Sequence, residues 1–121
     1  MTTHYLKLPG LLQVVNVDDG TDTFPSADGT RTAFPPMTHV DVCRALTNQL
    51  RTEDKLDVLE CMDLRIKLTG AAFIAELTDA EHKALSEVAK HPKYLSLHAQ
   101  MSPAVVAFLR SIVDAPTAKP E

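Results

Sequence analysis

The sequence predicts an α+β fold: about four amphipathic helices packed with a small antiparallel β-hairpin or three-stranded sheet. Three observations carry that expectation. Aliphatic residues recur at steps of three and four in several segments after residue 38, the signature of helices with one apolar face. Turn-formers and β-formers are instead concentrated in the first 34 residues. Apolar residues make up 45% and charged residues 23% of the chain, ordinary for a packed domain rather than a disordered one.

Taken in order, HYLKLPGLLQVVNV (4–17) is rich in β-formers but broken by Pro9 and Gly10. Because proline cannot donate to a ladder, a short extended piece is expected first and the main strand at Leu11 to Val17. DDGTDTFPSADGT (18–30) is turn chemistry, with Asp19-Gly20 and Asp28-Gly29 able to supply positive φ. Arg31 to Phe34 is then expected to return antiparallel to the first strand, leaving 18–30 as a long, mobile or partner-binding loop.

Pro35-Pro36 stops that strand. Thr38, with Asp41 three residues on, suits the start of a helix over about 39 to 50, whose inward face is Val42, Cys43, Leu46 and Leu50. Thr52 is expected to cap a second helix ending at Gly70, with Leu56, Leu59, Met62 and Ile66 as its stripe, flanked by Val58 and Leu64. So wide an apolar face implies packing on more than one side. Phe73, Ala75 and Leu77 alternate, as in a short third strand. Thr78-Asp79-Ala80-Glu81 fits a capping box, opening a third helix to about Lys90 with Leu85 and Val88 inward. KYLSLHAQM (93–101) is ambiguous. Ser102-Pro103 marks a fresh start, and Val105, Phe108, Leu109 and Ile112 give the stripe of a fourth helix. With 121 residues the chain is expected to form one domain over 1–113 and a flexible tail over 114–121.

Charge and composition narrow the function. The net charge is −4, and the closest basic pair, Arg65 and Lys67, shares its helix with Glu53, Asp54, Asp57, Glu60 and Asp63. Phosphate-backbone binding needs a basic stripe, so neither a nucleic acid nor an anionic membrane surface is expected as partner. The N-terminal residues lack the charged-then-apolar pattern of a signal peptide, and no apolar run reaches the ~18 residues of a membrane span. A cytoplasmic setting, or a virion if the gene is viral, follows as the expectation, with Cys43 and Cys61 reduced and buried.

Candidate chemistry is sparse. His39 and Cys43 stand four residues apart on one helix, and Cys61 could approach from the next. These are the candidate zinc ligands, but the sequence holds no CxxC or HExxH to support them. A core position for both thiols, with no metal and no cofactor, is the expected outcome. There is no GxSxG elbow and no phosphate-binding glycine loop. The Asp18, Asp19, Asp22 and Asp28 cluster departs from a calcium loop, since position 12 counted from Asp18 is Gly29. The chain is therefore not expected to be an enzyme. Its candidate contact residues for a protein partner are Phe24 and Pro25 in the 18–30 loop, and Tyr94 and His98 in the ambiguous segment. Its wide apolar faces also suit a homo-oligomer.

ELTDAEHKALSEVAKHP (76–92) followed by SPAVVAFLRSIVDAP (102–116), behind a front end of strand, ADGT-bearing loop, strand and helix, resembles small proteins of tailed bacteriophages. That resemblance implies a non-enzymatic interaction module, an assembly accessory or structural protein. The alternatives are a phage-encoded inhibitor that blocks a host enzyme or defence complex, and a metal-binding protein using His39, Cys43 and Cys61. The resemblance implies no catalytic residues.

Overall fold

Three separate two-stranded antiparallel ladders brace a cluster of helices in a computed structural model that describes residues 2–8, 10–71 and 73–118. The elements run β1 (His4–Lys7), β2 (Leu11–Leu12), β3 (Thr23–Pro25), β4 (Arg31–Ala33), β5 (Met37–Thr38), α1 (His39–Thr52), α2 (Val58–Gly70), β6 (Ile74–Leu77), α3 (Asp79–Lys90), α4 (Leu97–Met101) and α5 (Pro103–Val113). The architecture is α+β, as the sequence predicts. Pro9, named in the first strand expectation, lies outside the described residues, as do 119–121 of the tail.

The strand pairing differs from expectation. β1, read only as a short extended piece, pairs with β6 in the register His4↔Leu77 to Lys7↔Ile74. Leu6 from β1 and Ala75 and Leu77 from β6 point into the core. Of the expected strand Leu11 to Val17, only Leu11 and Leu12 enter a ladder, and their partners are Thr38 and Met37. Arg31 to Phe34 does not return to it. Instead β4 pairs with β3, so residues 18–30 are not a structureless loop. The local chemistry explains the difference. The Arg31 guanidinium reaches Asp19 Oδ2 at 2.7 Å and the Thr23 carbonyl at 3.0 Å, folding the segment on itself. Gly29, at φ 85°, completes the turn between β3 and β4.

Residues past β2 are held by side chains in place of a ladder. The Val15 N–H donates to Ser102 Oγ at 2.9 Å and the Val17 N–H to His98 Nδ1 at 3.1 Å. Ser102 is fully buried and donates in turn to the His98 carbonyl one turn earlier, so its hydroxyl is spent on Val15 and α4 and does not cap α5.

α1 is the central helix. Val42, Leu46 and Leu50 are completely buried, and each contributes about 1.5–3 kcal/mol by leaving water. Thr38 and Asp41 cap it reciprocally. Thr52 is the last residue of α1 and not the cap of α2. Its hydroxyl bonds back to the Asn48 carbonyl at 2.8 Å, and Asp57 with Glu60 forms the capping box that starts α2 five residues later. Thr78 and Glu81 cap α3 as expected, and Glu81 Oε1 also accepts from Lys67 Nζ at 2.7 Å, pinning α2 to the start of α3. α5 lays Val105, Phe108, Leu109 and Ile112 into the core.

Of the segment read as tail, Ala115 is buried, and the Pro116 carbonyl accepts from the Tyr5 N–H at 2.8 Å on the outer edge of β1. Among the described residues, no helix is long and apolar enough to cross a membrane.

Candidate interaction surface

The clearest anomaly lies on α2. The sequence assigns Leu59, Met62 and Ile66 to the core, but the structure turns them outward at 72%, 54% and 66% exposure. Val58 is 61% exposed beside them, and Phe73, just past the helix end, is 70% exposed. The buried face is a different stripe, Cys61, Leu64 and Leu68, which meets α1 and β6. Both stripes have helical spacing, so periodicity alone cannot choose between them. Ile66 also borders a shallow groove of about 670 Å³ between α2 and β6, where Ala71 and Ile74 continue the apolar surface. A domain able to bury Leu46, Leu64 and Leu85 leaves this apolar helix face in water. Exposed apolar patches of this kind mark contact surfaces.

The contact residues expected in the front half are arranged otherwise. Phe24 is half-buried, its ring centroid 5.0 Å from that of Phe34, which sits 5.1 Å from the His98 imidazole. The structure thus joins Phe24 and His98 through Phe34, docking the β3–β4 hairpin on α4. Pro25 and Tyr94 are exposed, as are Leu97 and Met101, which stand four residues apart on α4.

His39, Cys43 and Cys61 do not assemble. His39 Nδ1 lies 3.2 Å from the Gly10 carbonyl. Burial pushes the Cys43 thiol up to about 12. Cys61 is also raised, chiefly by burial and further by the Asp57 and Glu60 carboxylates, and its Sγ faces the Leu56 carbonyl at 3.7 Å. Neither sulfur has the lowered pKa of an activated nucleophile. Among the described residues, no group of three or more His, Cys, Asp or Glu side chains could hold a metal ion. Asp19 and Asp28 are held below the usual carboxylate range mainly by Thr21 and Thr30, whose N–H and hydroxyl groups both donate to them. That is turn chemistry.

One polar cluster was not legible in the sequence. His4 and His82 stack at 3.9 Å, His4 Nε2 contacts Asp79 Oδ1 at 2.8 Å, and Ser86 Oγ lies 3.3 Å from His82 Nε2. The residue types match a Ser-His-Asp triad, but the connections do not. Asp79 orients His4, whereas Ser86 faces His82. His82 Nε2 lies 3.0 Å from the Ile112 carbonyl and 3.1 Å from the Val113 carbonyl, both of which can only accept. Nε2 therefore carries its hydrogen there and offers Ser86 no base. The cluster instead ties β1, α3 and the end of α5 together.

Comparison with known proteins adds no constraint: no family model, no curated protein and no solved structure matches the chain.

Proposed function

We propose that this chain is a non-enzymatic protein-interaction module whose principal contact surface is the outward face of α2. The observation that carries the reading is the exposure of Leu59, Met62 and Ile66 on one side of a well-capped helix. Returning each such side chain from water to a partner's surface is worth about 1.5–3 kcal/mol, and a few such anchors supply most of the energy of an ordinary interface. A role as a phage assembly accessory is the finer form of this reading. It rests on the likeness of 76–92 and 102–116 to small tailed-phage proteins.

The test is affinity capture from the organism's own extract, comparing the natural chain with Leu59→Lys/Ile66→Lys. A specific partner retained by the first and lost by the second is the expected result. An identical set of captured proteins on both would refute the assignment of the surface. Capture of virion components supports the assembly role, whereas one tight host enzyme would point to an inhibitor.

A further inference from the structure

We infer that the outward face of α2 packs in parallel against α2 of a second copy of this chain, a step that rests on the contact-surface reading above. Leu59, Met62 and Ile66 are spaced by three and four residues, the seam along which two helices interlock side chains. What selects the occupant is the charge on the two rims of that seam. At 3.6 residues per turn, Asp63 lies about 100° to one side of Met62, and Arg65 about 60° to the other. On the Arg65 side, Arg51 from α1 joins Arg65 in a cleft of about 170 Å³ floored by Val58, Cys61 and Met62. One rim is therefore basic, and the other carries Asp63 and Glu60 beside Lys67, whose ammonium is already engaged by Glu81 at 2.7 Å. Asp63, Arg51 and Arg65 enter no ion pair among the described residues, although five pairs form elsewhere.

A second copy supplies the missing complement. A two-fold axis running along the seam sets each basic rim against the partner's Asp63 rim, and does so twice because the contact is isologous. An antiparallel arrangement would set arginine against arginine and aspartate against aspartate, which opposes association. The same opposition disfavours a polyanion, which the Asp57, Glu60 and Asp63 carboxylates along α2 would repel.

Sedimentation equilibrium of the full chain up to about 100 µM measures the pairing directly. The expected result is a dimer. Arg65→Glu and Asp63→Lys should each weaken it by at least about tenfold, and an equimolar mixture of the two variants should restore association, because each then meets its opposite charge. All three rim residues are exposed, so an unchanged circular dichroism spectrum confirms that each variant folds. Leu59→Cys should cross-link to itself under mild oxidation in the parallel arrangement. Cross-linking only between Leu59→Cys and Ile66→Cys chains would show the antiparallel one and overturn the inference. A monomeric natural chain at the highest concentration, or a variant mixture no stronger than its components, also overturns it. Either result leaves the broader reading standing, because that reading fails only if Leu59→Lys/Ile66→Lys retains every partner.

Discussion

α5 and α2 are the two most apolar of the helices longer than two turns, and they meet opposite fates. α5 places Val105, Phe108, Leu109 and Ile112 on one side and buries all four. α2 carries apolar residues around most of its circumference, buries Cys61, Leu64 and Leu68, and leaves Leu59, Met62 and Ile66 in water. A helix with one stripe announces its inner face. A helix with two stripes announces only that both prefer to be covered, and the fold covers one. The difference separates residues that make the domain from residues that the domain presents.

The sharpest test of that separation is to truncate a large side chain on each helix. Phe108→Ala on α5 should cost about 3–5 kcal/mol in chemical denaturation, since it removes a buried ring and leaves a cavity. The buried polar tie between helices comes next. Gln49 on α1 donates to the His91 carbonyl at 2.8 Å and accepts from the Lys93 N–H at 2.9 Å, so it anchors the chain between α3 and α4. Gln49→Ala leaves both backbone groups short of a partner and should lose about 1–3 kcal/mol.

A smaller effect is expected in acid. Hydrogen bonds from His4 and the Thr2 N–H hold the Asp79 carboxyl below its ordinary value of 3.8. Its contribution is therefore complete above that pH and is lost as pH falls below it. An Asp79→Asn chain should show a shallower acid limb than the natural one when unfolding is followed from pH 5 downward through about pH 2. The smallest effect closes the comparison. Ile66→Ser on α2, measured in dilute solution where association contributes nothing, should change stability by no more than about 0.5 kcal/mol. A loss at Ile66 comparable to that at Phe108 would erase the distinction between the two helices.

The sequence made the fold class, the α3 capping box and the α5 stripe legible because each depends on neighbours within one or two turns. It misled where distant or competing partners decide. β1 looked too short to matter until β6, some seventy residues later, supplied its ladder. The 18–30 segment looked like an open loop because nothing local says that Arg31 will reach back to Asp19. On α2 the apolar count was right but the face was wrong: the choice depends on where α1 and β6 lie. The His4, His82 and Asp79 cluster was equally hidden, since only the pairing of His4 with Leu77 brings the start of the chain beside the first turn of α3. Phe24 and His98 meet through Phe34, a contact between the hairpin and α4 that no local pattern encodes.

The contact between Tyr5 and Pro116 bears on how the chain should be handled. Trimming it after Val113, a natural choice if the last eight residues are taken for a dispensable tail, would strip the cover from the outer margin of β1 and uncap the Tyr5 amide. An uncovered strand margin invites other chains to add to it. A shortened version would then aggregate through a surface that the untrimmed chain keeps closed, and its clumping would imitate the specific pairing along α2.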